Sequence, residues 1–263
     1  MAQSNIEQPP IAAAGRTVEA APAASWSTLY RAAGAAALVT AVLIPVQLVV
    51  FMAYPFPDTV TGWFELLQDN PLAGLVDLDL LLVVDNVLLV VIALALYVAL
   101  RPTSPSVVTM ATGLWLLAIA MFVATNPAVE MLSLSNQYAA ATSETQRSAA
   151  VAAGEALLAG WEGTAFQVGY VLGQLAGIMI GLVMQRSHRF GRAVPATLII
   201  GNLVGFGLYL PAVGVAISAF SGLVLWAWYV LMARRFLLLG HSEQAVRGDR
   251  AGPTAPVPGP FTT

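Results

Sequence analysis

The sequence predicts an all-α, polytopic membrane protein: a bundle of six transmembrane helices with short interfacial helices on its outer side. Three observations carry that reading. Of 263 residues, 58% are hydrophobic and only 10% charged, against roughly half apolar and a quarter charged in an ordinary soluble domain. Six apolar stretches follow one another at 32–53, 80–100, 107–123, 166–184, 194–210 and 213–232, each near the roughly 20 residues that cross a bilayer. Any one of them could be a buried helix of a soluble core, but six in succession make that reading untenable. The arginines, finally, segregate between alternate loops, as they do where cytoplasmic loops keep positive charge and translocated loops lose it.

Residues 1–25 and 241–263 are rich in Ala, Pro, Gly and polar side chains without apolar periodicity. They read as disordered cytoplasmic tails on either side of a transmembrane domain at 26–240. The first 24 residues lack the basic segment and short apolar run of a signal peptide, so the first span reads as an anchor that is retained. After it, the stretch 61–68 carries Trp63, Phe64, Leu66 and Leu67, which suits a short helix lying in the interface. Asn70 with Pro71, and again Asn126 with Pro127, supply an N-cap followed by a first-turn proline. Ser143 and Gln146 have capping-box spacing, so a helix starts at Glu144 and heads into the fourth span. Carried unbroken to Gln185 it would run roughly 60 Å. It must therefore protrude outward or break near 160–163, where Gly160 and Gly163 lie. Pro211 and Ala212 leave room only for a tight hairpin between the last two spans.

Orientation follows from charge. Arg16, Arg31, Arg101, Arg186, Arg189, Arg192, Arg234, Arg235, Arg247 and Arg250 fall on one side, and only Arg147 on the other. The chain is thus expected to be a multi-pass protein of the cell membrane with both termini in the cytoplasm. The opposite side collects Asp58, Glu65, Asp69, Asp77, Asp79, Asp85, Glu130, Glu144, Glu155 and Glu162. A cysteine placed at Ser135 should be reachable from that outer side.

Composition removes several chemistries. All 11 basic residues are arginine and there is no cysteine, so Schiff-base lysines, a P-loop lysine, thiolate ligands and cysteine nucleophiles are excluded. His188 and His241 both fall in cytoplasmic segments, which leaves no histidine for a haem or zinc site within the membrane. A net charge of -3 argues against a nucleic-acid partner. No cofactor is expected, and the outer carboxylates lack the spacing of a calcium loop, so no metal site is assigned. The partners to be expected are the lipid bilayer and either another membrane protein or a second copy of the chain.

Three stretches resemble a family of six-helix bacterial membrane proteins of unassigned function. They are Leu29-Tyr30-Arg31-Ala32-Ala33-Gly34 opening the first span, Leu94-Ala95-Leu96-Tyr97-Val98-Ala99-Leu100-Arg101-Pro102 closing the second, and the glycine-rich fourth span leading to Gln185-Arg186-Ser187. The resemblance implies an architecture and brings neither a reaction nor site residues.

Depth selects the candidate site. Counted from the arginine at each cytoplasmic end, Gln47, Asp85, Tyr170 and Ser218 all lie roughly 24 Å up, with Asn86 one residue below Asp85. Four helices would then bring polar groups to one level, beneath a mouth ringed by Asp77, Asp79 and Glu162. A carboxylate in hydrocarbon costs about 2.5–3.5 kcal/mol on insertion scales, so Asp85 needs a partner, a proton or a cavity. It either serves an outward-facing ligand or cation site or locks helices together through Gln47 or Tyr170. Asp77 and Asp79, two apart on one helix, would face away from each other as a solvated helix end. Deeper, Gln174 and Asn202 are expected to hydrogen bond between the fourth and fifth spans. Gly169, Gly173, Gly177 and Gly181 form a stripe that permits close backbone approach.

Three functional readings stay open: an acidic outward-facing vestibule that binds a small ligand or cation, as carrier, permease accessory or sensor; a structural or interaction protein packing through the glycine stripe; and an intramembrane enzyme using Asp85 or Glu162. The composition weighs against the last, and the lack of a visible internal repeat weakens a transport role.

Overall fold

A computed structural model describes residues 26–250; the tails at 1–25 and 251–263 lie outside the described residues. Ten α-helices and one 3-10 turn make up the described chain: α1 Ser27–Ala53, α2 Val60–Asp69, α3 Pro71–Asp77, α4 Leu80–Leu100, α5 Pro105–Thr125, α6 Ala128–Ala140, α7 Glu144–Trp161, α8 Thr164–Ser187, α9 Ala193–Gly205 and α10 Gly214–Arg250. Five helical runs are long and apolar enough to cross a membrane, and Ala193–Tyr209 is a shorter sixth. The protein is a polytopic helical membrane protein. The sixth run gains length because α9 is extended by a 3-10 turn at Phe206–Tyr209: thirteen residues at 1.5 Å and four at 2.0 Å give about 28 Å, close to the apolar thickness of a bilayer.

The six spans form a closed ring in chain order. α1 packs on α4, α4 on α5, α5 on α8, α8 on α9, α9 on α10, and α10 returns to α1. Short loops place α4 beside α5, α8 beside α9 and α9 beside α10, the segments carrying α2–α3 and α6–α7 bridge the other two pairs, and the contact of α10 with α1 closes the circle. At the end of the ring that carries most of the arginines, the interior is filled by Ile92, Leu96, Leu100, Ile180, Met184, Phe190 and Phe236, all fully enclosed. There Tyr30 stacks on Phe236 with centroids 6.1 Å apart, and Phe190, from the loop after α8, meets Phe236 edge-on at 6.3 Å. α10 does not end near 240, where the sequence places the start of a tail, but continues as helix to Arg250.

The opposite end carries a second core. α2, α3, α6 and α7 build a cap around Val60, Trp63, Phe64, Leu67, Leu78 and Met131. α2 has the amphipathic pattern expected of it, but its apolar face at 60, 63, 64 and 67 is turned into this core. Thr59 caps α2 and Asn70 caps α3 through their side chains. Ser143 caps α7, as the spacing to Gln146 requires. The long helix breaks where the glycines allow it: α7 ends at Trp161, Glu162 and Gly163 turn the chain, and α8 starts at Thr164. Ser135 is fully enclosed, accepting from Gln68 Nε2 at 2.7 Å and donating to the Phe64 carbonyl at 3.1 Å, so a thiol there would be hidden rather than accessible.

The glycine stripe of α8 serves two neighbours. Residues four apart advance about 40° beyond a full turn, so the stripe winds round the helix by about 120° from Gly169 to Gly181. A methyl at Gly169 would meet Met121 Cβ at 3.2 Å on α5, whereas at Gly177 it would strike Asn202 and at Gly181 Ile199, both on α9. The stripe is consumed inside the chain. Gly173 differs: a methyl there would find only Ala118 Cβ, at 3.7 Å.

Candidate functional site

In the cap-side half of the ring the packing is incomplete, and a cavity of about 370 Å³ lies between α4, α5, α8, α9 and α10. Its wall on α4 is the face 79, 82, 86 and 89, seven-residue spacing keeping Asp79 above Asn86. Trp115 and Trp228 close its lower part, with ring centroids 6.2 Å apart. Around them lie Leu82, Leu89, Ile119, Phe122 and Phe166, interrupted by Asp79, Asn86, Tyr170, Gln174, Asn202 and Tyr229. A volume of a few hundred Å³, mostly apolar walls and a few fixed polar groups are the features of a small-molecule site.

The polar groups expected at one level are divided among three places. Tyr170 and Ser218 do meet, at 3.4 Å, and the Tyr170 hydroxyl also donates to the Gly205 carbonyl at 2.9 Å. That carbonyl is free because α9 gives way to the 3-10 turn at this point. Gln47 does not reach Asp85; its Nε2 donates to Asp79 Oδ1 at 3.0 Å. Asp85 faces the bundle interior, 4% exposed, beside Thr40 of α1. Yet among the described residues neither Asp85 oxygen nor Thr40 Oγ1 has a hydrogen-bond partner. Asn86 donates to the Leu82 carbonyl of its own helix at 2.9 Å.

The register differs because Arg31 does not mark the end of α1 that matches Arg101. Arg101 lies over the Trp26 ring, 5.9 Å from its centroid, five residues earlier. Five residues of helix are about 7.5 Å, enough to move Gln47 from the level of Asp85 to that of Asp79. Thr40 then takes the position opposite Asp85. Its signal was present: Ala33, Ala36, Ala37, Thr40 and Ala41 are a buried small-residue face of α1 at helical spacing.

Asp77 and Asp79 are not a solvated helix end. α3 stops at Asp77 and α4 starts at Leu80, so the two belong to a bend rather than one helix. Asp77 is fully enclosed, with both carboxylate oxygens lacking a hydrogen-bond partner among the described residues, and burial pushes its carboxyl up to about 6. Asp79 adopts the left-handed conformation, φ 63°, uncommon for a residue with a side chain. Burial and the neighbouring Asp77 charge push Asp79 up to about 7, against the opposing bond from Gln47. Glu162 stands apart from both. It lines a separate recess on the flank of the cap with Asp58, Phe56, Trp63 and Trp161, so the three acids form no common ring. Among the described residues no group of three or more carboxylate or imidazole side chains converges as a metal site.

Gln174 and Asn202 do not bond to each other. Asn202 donates back to the Leu198 carbonyl at 2.7 Å and packs on Gly177, while Gln174 packs on Gly205. Each amide rests on the glycine of the facing helix, which couples α8 to α9 by shape instead of by a shared hydrogen bond. Both amides also line the cavity, where Trp228 Nε1, buried without a partner among the described residues, adds a donor. The two tryptophans were not candidates from the sequence, because an aromatic in an apolar span has the pattern of ordinary core.

No family model matches the chain, and no curated protein or solved structure is detectably similar to it.

Proposed function

We propose that this chain is a membrane-embedded binding protein, working as a carrier, permease accessory or sensor. Its helix ring takes up a small, largely apolar molecule that presents a protonated amine to Asp79. The supporting observation is the cavity of about 370 Å³ whose walls are apolar and aromatic except for one carboxylate, Asp79, and a few amides and hydroxyls. Apolar walls supply affinity through buried area, and the isolated polar groups supply orientation. The acidic ring that would attract a bare cation is replaced by a single anionic acceptor in a mainly hydrophobic chamber. The cap lies on the outer side and both termini in the cytoplasm, a reading that rests on the arginine distribution.

Binding of 1-aminoadamantane to the detergent-purified protein, compared with the neutral 1-adamantanol of the same shape, tests the site. The amine is expected to bind at least about tenfold more tightly, and Asp79→Asn to abolish that preference, one charge-assisted hydrogen bond being worth about 1.5–3 kcal/mol. Equal binding of the two cages, or a preference untouched by Asp79→Asn, would remove Asp79 from the site. For orientation, a cysteine at Asn136, exposed on α6, should react with an impermeant reagent from outside intact cells, and one at Gln185 should not.

The interaction reading loses its particular support, since the glycine stripe faces α5 and α9. The enzyme reading rests on Asp85 or Glu162; Asp85 is buried within the bundle and Glu162 lies in the recess on the flank of the cap.

A further inference from the structure

Gln174 is 6% exposed and lines the cavity between the helices, yet among the described residues its amide makes no hydrogen bond. We propose that Gln174 is a second anchor of the binding site, recognising a carboxamide group at the far end of the ligand from its amine. The inference rests on the reading of the cavity as a ligand site, and it narrows the ligand class from apolar amines to amines that also bear an amide.

The polar groups beside it along the contact of α8 with α9 are already engaged. Asn202, the neighbouring amide, donates to the Leu198 carbonyl at 2.7 Å, and the Gly205 carbonyl takes the Tyr170 hydroxyl at 2.9 Å. Nε2, Cδ and Oε1 of Gln174 all crowd the position that a Gly205 methyl would occupy, so the amide lies with its face on the glycine. The donors and the acceptor of an amide point outward in its plane. Seating the face on Gly205 therefore leaves the hydrogen-bonding edge free. A polar group buried without a partner is costly, and at the wall of a cavity that cost favours the ligand that completes it.

The free edge selects its partner. Gln174 offers a carbonyl acceptor and an amide donor side by side, and a carboxamide presents the complementary pair in one plane, whichever way round the Gln174 amide is turned. A ketone or ether only accepts, and an alcohol has a single atom with which to meet both groups. A carboxylate also only accepts, and no basic residue lines the cavity to hold its charge. Helix register sets the spacing to the amine. Asn126 donates to the Leu78 carbonyl at 2.7 Å and Phe122 meets Phe166 at 6.5 Å, so Asp79 stands level with the start of α8 at Thr164. From Thr164 down to Gln174 is about 15 Å along the helix. The reach of the two side chains shortens this to about 10 Å between the polar groups of the ligand, the span of about eight single bonds.

Titration calorimetry on the full chain purified in maltoside compares 8-aminooctanamide with 9-aminononan-2-one, in which a methyl replaces the amide nitrogen while size, amine and carbonyl are kept. The amide is expected to bind at least about tenfold more tightly, because the ketone leaves the Gln174 carbonyl unpaired. Gln174→Met, of similar length but without hydrogen-bonding groups, should erase that preference while leaving 1-aminoadamantane, too short to reach Gln174, within about twofold. Asp79→Asn should weaken both long amines alike and keep the preference for the amide. If Asp79→Asn affects neither amine while the Gln174-dependent preference stands, the amine reading falls and the second anchor holds. If both long amines bind through Asp79 with equal affinity, the second anchor falls and the amine reading holds. Absence of saturable 8-aminooctanamide binding, or a preference that survives Gln174→Met, overturns the proposal. The comparison of amide with ketone is made on the unaltered protein, so it decides the matter even if Gln174→Met does not fold.

Discussion

The arginine-side half of the helix ring and its cap-side half are built from the same six helices and solve opposite problems. In the first, Ile92, Leu96, Ile180, Met184, Phe190 and Phe236 interdigitate until nothing of them is exposed. In the second, the same helices hold apart around a cavity, and the buried groups include Thr40 and Asp85 with no hydrogen-bond partner among the described residues. Buried polar groups without partners are expensive; Thr40 and Asp85 lie towards the cap side, while Thr112 lies in the first half of α5, nearer the arginine side. Tight packing thus fixes the bundle from below and leaves open space in the upper half. The cap, with a hydrophobic core of its own, holds the upper ends of the helices without filling the space between them.

The comparison predicts its largest difference for truncation of an aliphatic side chain. Ile180→Ala, in the closed half, is expected to lose about 2–5 kcal/mol of stability. Leu82→Ala, in the cavity wall, should lose well under half of that, because the space beside it is already open. Matched denaturation curves in one detergent would check this; equal losses would mean that the two halves are packed alike.

A smaller contrast is expected along the stripe of α8. Gly177→Ala pushes a methyl into Asn202 and should cost about 1–3 kcal/mol, the usual range for overpacking. Gly173→Ala, which faces the cavity and only touches Ala118, should be close to neutral in thermal melting. If Gly173→Ala proved the more damaging, the cavity would not lie where it is described.

Next in size is a pH effect. Burial raises Asp77 from 3.8 to about 6 and Asp79 from 3.8 to about 7, so the folded state holds these protons more tightly than the unfolded one. Stability from this source is complete below about pH 4 and is lost as pH climbs to 6 and 7. Melting temperature should therefore fall between pH 4 and pH 8, and Asp79→Asn should flatten the upper part of that fall. A rise over the same interval would carry the wrong sign for buried carboxyls.

The smallest expected effect concerns Asp85. It is buried against α1 beside Thr40, outside the cavity wall that Asp79 lines. Asp85→Asn should therefore leave 1-aminoadamantane affinity within about twofold while raising the melting temperature slightly, since a buried charge without a partner is removed. Abolished binding would instead make Asp85 part of the ligand site and extend the functional half down to Thr40.

The amino-acid sequence by itself determined whatever depends on local pattern. Span number, the break between Gly160 and Gly163, the caps at Asn70 and Ser143, and the hairpin at Pro211 all follow from apolar length and capping chemistry acting within a few residues. It also marked the polar side chains inside the spans, because aspartate, asparagine and glutamine are conspicuous there. Which of them meet was decided by tertiary structure alone. A helix fixes the spacing of its residues but not its height against a neighbour, and a slip of about 7.5 Å, visible in Arg101 lying over Trp26, handed Gln47 to Asp79 and left Thr40 facing Asp85. The enclosure of Asp77, the resting of Gln174 and Asn202 on glycines, and the meeting of Trp63 with Trp161 on the flank of the cap are likewise products of how elements distant in the chain come to rest on each other. Burial and mutual orientation are properties of packed surfaces, and no single helix carries them.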